Sequence, residues 1–86
     1  MPSDGLEDDL RARARERIRE GRLPCVTIYR TWGGRGSNET CALCDTMIKH
    51  DEVEYEVETR DPDSVRLFRF HLPCHDAWQH ECAQAA

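Results

Sequence analysis

Strict alternation is the clearest pattern in this chain. From Glu52 to Glu58 the order Glu-Val-Glu-Tyr-Glu-Val-Glu sends every apolar side chain to one side of an extended strand. The pattern predicts that Val53, Tyr55 and Val57 face inwards and that the glutamates are wet. Asp61-Pro62-Asp63-Ser64 is a cluster of turn formers, and Val65 to Phe70 is a second β-rich run, so the two runs should pair as an antiparallel hairpin. The second run has Val65 and Leu67 on one side and Phe68 and Phe70 on the other, which leaves its inward side open. Upstream, residues 25–29 (Cys-Val-Thr-Ile-Tyr) predict a short strand with Cys25 as a buried thiol. Trp32-Gly33-Gly34-Arg35-Gly36-Ser37-Asn38 then reads as a connecting loop with Trp32 as its apolar anchor. Its glycines match no phosphate-binding pattern.

Helical periodicity appears at the two ends. Asp4 and Glu7 have the spacing of an N-cap and its N3 partner, Asp8 and Asp9 suit the positive end of a helix dipole, and Gly21 with Pro24 beyond it marks a stop. A helix is predicted over residues 5–20. Leu6, Leu10, Ala14 and Ile18 form its apolar stripe, and Arg11, Arg15, Arg19 and Arg22 gather roughly 60–80° further round. Those arginines either solvate the helix, helped by pairs such as Glu7 with Arg11 and Asp9 with Arg13, or form a contact face. At the other end Pro73 suits a first helical turn, and residues 73–83 contain no breaker. Cys74, Ala77, Trp78 and Cys82 line one side of that helix, and the alanine-rich tail should fray. The expected organisation is residues 1–24 as an arginine-rich helix and linker, and residues 25–86 as one small α+β domain.

Composition adds a constraint. At 86 residues, 38% hydrophobic and 34% charged, the chain can bury only a small core and needs a staple. Five cysteines could supply one as disulfides, but the count is odd and no secretory signal precedes them. Reduced thiols and a cytoplasmic location are therefore expected. No run is apolar enough to span a membrane. Charge is uneven: residues 1–36 hold eight Arg against six acids, and residues 37–86 hold four Lys or Arg against eleven. The second half should repel nucleic-acid phosphates.

Candidate chemistry sits in Cys41-Ala42-Leu43-Cys44 and His71-Leu72-Pro73-Cys74, a Cys-x2-Cys and a His-x2-Cys pair. A two-residue gap lets both ligands of a turn reach one ion, and three thiolates with one imidazole make a closed tetrahedral zinc site. One zinc per chain is expected. His50 and His75 compete less well than His71 for the fourth position. Cys82 lies about 12 Å along the helix from Cys74, too far to share the ion. His50, His75 and His80 read as exposed polar side chains. Four protein ligands leave no open catalytic position, and a thioredoxin-like βαβ setting for a redox Cys-x2-Cys is missing, so no enzyme activity is expected.

The order knuckle, hairpin, helix over residues 38–83, with Cys41 and Cys44 in the knuckle and His71 and Cys74 at the helix start, resembles the treble-clef zinc-finger family. In spacing it is most similar to the fingers of poly(ADP-ribose) polymerases. The resemblance implies a zinc-stabilised fold. It lacks the hairpin histidine pair of the family's nucleases. The functional expectation is a regulatory or adaptor module that meets a protein partner through the arginine face (Arg11, Arg15, Arg19, Arg22) or through Trp32 and Arg35. The alternative is a nucleic-acid binder using the same helix.

Overall fold

The computed structural model describes the backbone of residues 2–26 and 28–85 and the side chains of residues 7–26, 28–60 and 62–84. Helix α1 (Pro2–Arg19) leads into strands β1 (Ile28–Arg35), β2 (Val53–Asp61) and β3 (Ser64–His71), and helix α2 (Leu72–Ala85) follows directly. The chain is thus a small α+β fold of two helices and a three-stranded antiparallel sheet in the order β1-β2-β3.

Helix α1 begins earlier than Asp4, so Asp4 is inside the helix rather than its cap, and proline opens it, as suits a first-turn position whose N–H needs no partner. The side chains of Asp4 and Leu6 lie outside the described residues. At the other end Gly21 takes φ +77°, and the Gly21 and Arg22 amides donate to the Ile18 and Arg17 carbonyls at 3.1 and 2.9 Å. That double bond is a Schellman cap, the stop expected from Gly21. Ala14 is fully buried and Leu10 and Ile18 pack against the same core. The stripe therefore docks on α2, which lies between α1 and the sheet.

Strand β1 corrects the reading of residues 32–38 as a loop: Trp32, Gly33, Gly34 and Arg35 are all paired to β2, as Trp32↔Glu56, Gly33↔Tyr55, Gly34↔Glu54 and Arg35↔Val53. The two glycines do not break the strand because the neighbouring strand supplies the missing surface. An added Cβ on Gly33 would lie 3.0 Å from the Tyr55 ring, so the ring covers the glycine. The strand also starts later than expected, at Ile28, with a bulge between Ile28 and Arg30. Trp32 is 42% exposed and is not part of the buried core.

The β2–β3 hairpin closes through Asp61↔Ser64 over a two-residue turn, Pro62-Asp63. Its register settles the open parity: Tyr55 faces Phe70 and Val57 faces Phe68, so the phenylalanines turn inwards while Val65 and Leu67 are exposed. Two expectations about β2 fail. Val53 is 50% exposed at the first position of the strand, whereas Glu54 and Glu58 are buried. Their carboxylates are satisfied locally. Ser37 donates to Glu54 Oε1 through its amide (3.0 Å) and its hydroxyl (2.7 Å), and Arg60 Nε donates to Glu58 Oε2 at 2.6 Å. A buried carboxylate is tolerated only with such partners.

On the inner face Trp78 of α2 stacks on Phe70 with ring centroids 4.9 Å apart and donates its indole N–H to the Pro24 carbonyl at 2.9 Å. Cys41, Leu43, Ile48, Val57 and Trp78 complete the buried core. Helix α2 stays helical through Ala85, past the point where fraying was expected. Cys25 and Cys82 are joined in a disulfide across 57 residues, with Cα atoms 5.3 Å apart. This overturns both the buried thiol at Cys25, which is exposed, and the expectation that all five cysteines are reduced. The odd count leaves Cys41, Cys44 and Cys74 as free cysteines.

Gly36 marks the tightest backbone approach. A Cβ there would stand 1.9 Å from the Lys49 carbonyl oxygen and 2.6 Å from that of Ile48. Neither backbone atom can swing away, because the Ile48 carbonyl accepts the Asn38 amide and the Lys49 carbonyl accepts the Glu52 amide. Gly36→Ala should therefore lower the thermal midpoint substantially, by roughly 2 kcal/mol or more of stability. Gly34→Ala, with open space around its Cβ, should cost far less. Melting curves of the two variants check the contrast, and equal midpoints would refute it.

Candidate metal centre

Residues 38–48 fold into a knuckle. The Asn38 amide bonds to the Ile48 carbonyl, the Ile48 amide to Glu39, and the Cys41 amide to Thr46, all between 2.8 and 2.9 Å. Asp45 adopts φ 64°, the left-handed conformation an aspartate tolerates better than most side chains, and this turns the chain back just after Cys44. The Ala42 amide donates to the Arg69 carbonyl at 2.8 Å, so the knuckle is pinned to β3 two residues before His71. His71 ends β3 and Cys74 sits in the first turn of α2. The hairpin thereby carries the second pair of side chains back to the first.

The donor atoms of Cys41, Cys44, His71 and Cys74 all lie within 4.8 Å of one another. Cys44 Sγ and His71 Nδ1 are 3.4 Å apart, close to the roughly 3.5 Å edge between sulfur and nitrogen in a tetrahedron with zinc-like bond lengths. Cys41 and Cys74 are buried, and Cys44 and His71 half-buried. These four residues are positioned to bind one metal ion, as the two spaced pairs predict. His50 is exposed and stands outside the cluster, and Cys82 is occupied by its disulfide.

The electrostatics suit a bound cation. The hydrogen bond from Cys74 lowers the Cys41 thiol to about 4, against the burial that opposes ionisation, and amides of Cys44, His71 and Leu43 reinforce the thiolate. The same bond and its own burial push Cys74 strongly upwards. Two buried sulfurs this close cannot both ionise without a positive charge between them, and a divalent ion at the centre relieves that conflict. Burial works against a charged His71 ring, but Cys41 and Glu52 outweigh it and raise its pKa.

Glu52 is a participant the alternation pattern did not single out. Its Oε1 accepts the Lys49 amide at 2.8 Å, which holds the carboxyl below its ordinary range, and lies 3.4 Å from His71 Nε2. A carboxylate on Nε2 leaves Nδ1 as the nitrogen that faces the sulfurs, the usual way an outer group fixes the tautomer of a metal-binding histidine. A sequence cue existed in the spacing Lys49-x2-Glu52, a local turn, but the pairing with His71 is long-range.

The predicted arginine face is only partly a free surface. Arg15 pairs with the buried Glu81 at 3.1 Å, Arg19 with Glu16, and Arg22 reaches Glu20 at 3.9 Å. The pairs expected between Glu7 and Arg11 and between Asp9 and Arg13 do not form among the described residues. Arg11 and Arg35 have no ion pair among the described residues. Two arginines outside the predicted face matter more: Arg13 donates to the Cys44 carbonyl at 3.3 Å and Arg17 holds Asp45 at 2.5 Å, latching α1 onto the knuckle. They were missed because an arginine four residues after another looks alike on either side of a helix. His75 was expected to be exposed, yet it packs edge-on against Tyr55 with centroids 4.9 Å apart and beside Phe70 and Trp78.

Fold and site together define a small α+β chain built round one possible Cys3His metal centre. Compared with protein-family models, curated proteins and solved structures, the chain matches none.

Proposed function

We propose that this chain is a non-catalytic, zinc-stabilised interaction module of treble-clef type, an adaptor or regulator that presents its surface to a protein partner. The observation that carries the reading is the convergence of four Cys and His donors from the knuckle, the end of β3 and the start of α2. Three sulfurs and an imidazole at that spacing suit zinc above harder ions, and four protein donors close the coordination sphere. The order knuckle, hairpin, helix supports the treble-clef assignment. No helix among the described residues is long and apolar enough to cross a membrane. The nucleic-acid reading is the weaker one, since Arg15, Arg17, Arg19 and Arg22 already face carboxylates of this chain.

Elemental analysis of chain purified without chelator should give one zinc per chain, and Cys44→Ala should lose it. Iron, two zincs or none would overturn the metal assignment. Binding to nonspecific DNA or RNA with a steep salt slope would transfer the function to nucleic acids.

A further inference from the structure

Strand β1 is an edge strand: β2 lies on one side of it, and no strand among the described residues lies on the other. Long exposed edges are usually blunted because they invite pairing with another chain. This one is eight residues long, carries no proline, and includes Gly34, which has open space where a side chain would stand.

Its exposed side chains form a stack. The Arg60 guanidinium lies 3.6 Å from the centroid of the Tyr29 ring, and that of Arg30 lies 5.0 Å from the Tyr29 ring and 5.4 Å from the Trp32 ring. Tyr29 and Trp32 are 49% and 42% exposed. Stacking holds each guanidinium by its face and leaves its in-plane N–H donors free for an oxyanion. Arg60 already donates its Nε–H to Glu58. Arg30 has no ion pair among the described residues, although Glu58 stands directly across from it in β2. Arg35, at the far end of the strand, is likewise unpaired among the described residues.

We infer that the free edge of β1 is a docking site for an extended acidic segment of a partner protein, which adds as a fourth strand and places a carboxylate on Arg30. The inference rests on the reading of the chain as a protein-interaction module and names its partner chemistry. Complementarity decides the occupant. Strand β1 holds two arginines and no acid, so a second copy pairing through the same edge would set like charges together. The inner edge of β1 already pairs with an alternating acidic strand, at Trp32↔Glu56 and Arg30↔Glu58, so the outer edge offers the same side chains to a similar sequence. A polyanion such as single-stranded RNA could stack on Tyr29 and Trp32, but it has no ladder of backbone N–H and C=O groups to pair with the free edge of the strand. A peptide hydrogen-bonds to the edge and spaces its carboxylates two residues apart, which is the mode of strand addition.

The test uses the full chain, metal-loaded, titrated with a labelled, end-blocked peptide of sequence Glu-Val-Glu-Thr-Glu-Val-Glu and followed by anisotropy and amide NMR. Saturable binding is expected, with shift changes centred on residues 28–35. Arg30→Glu should weaken it at least tenfold while zinc content and melting temperature stay unchanged. The same peptide with Lys in place of Glu should not bind. Three outcomes would overturn the inference: equal affinity for the Lys peptide, undiminished binding by Arg30→Glu, or tight binding to oligouridine without binding to the acidic peptide. Zinc content is read independently. A zinc-free chain that still binds the peptide refutes the metal reading alone, and a zinc-loaded chain that ignores the peptide refutes the docking site alone.

Discussion

Removing the metal with excess chelator should unfold the β2–β3 hairpin and α2 together, even with the Cys25–Cys82 disulfide left intact. His71 and Cys74 stand at the junction of β3 and α2, and Cys41 and Cys44 stand in the knuckle that the Ala42 amide ties to β3. Without a cation the buried sulfurs of Cys41 and Cys74 face each other with opposed proton demands. Structural zinc contributes on the order of 10–16 kcal/mol in small fingers, comparable with or larger than the roughly 5–15 kcal/mol net stability of whole domains. The expected result is a loss of most far-UV circular dichroism with one transition, restored by zinc. Unchanged spectra after complete removal would show that the apolar core suffices.

Breaking the disulfide should have the second-largest effect and a different character. The bridge closes a loop of 57 residues in the unfolded chain, which by chain-entropy reasoning is worth about 4 kcal/mol. Cys82→Ala should therefore lower the melting temperature by roughly 15–30 °C, taking about 4–8 °C per kcal/mol for a domain of this size. Zinc should be retained. Cys44→Ala should cost more, because it opens the metal site and leaves the remaining sulfurs unneutralised. Equal melting temperatures for the two variants would count against Cys44 as a ligand, and a Cys82→Ala midpoint unchanged from that of the parent would mean that the bridge constrains nothing.

How much of this was legible in the sequence depended on range. The metal quartet was, because Cys-x2-Cys and His-x2-Cys state their geometry within four residues each. The hairpin, the second helix and the stop at Gly21 were legible for the same local reason. Strand β1 was hidden because a pair of glycines reads as a break until Tyr55 is seen lying over one of them. The burial of Glu54 and Glu58 was hidden by the very alternation that predicted the strand. Period two tells which side chains share a face, and Ser37, Arg60 and Arg69 decide whether that face is wet. The partners of Cys25, Glu52, Arg13 and Arg17 lie between 19 and 57 positions away, and no local pattern encodes them.

The knuckle is a short local turn, whereas the second pair of donors arrives only after the whole β2–β3 hairpin has closed. An ion can therefore land first on Cys41 and Cys44 alone, as a loosely held two-point complex. Hairpin closure then delivers His71 and Cys74 at an effective concentration far above that of free ligand. Departure must retrace this route in reverse. Cys41 is fully buried and Cys74 nearly so, while Cys44 and His71 are half-buried, so a bound ion would be released completely only once the hairpin opened, and that opening should slow its exchange with external chelators. A metal bound at this site would be held kinetically, with the fold itself as the latch.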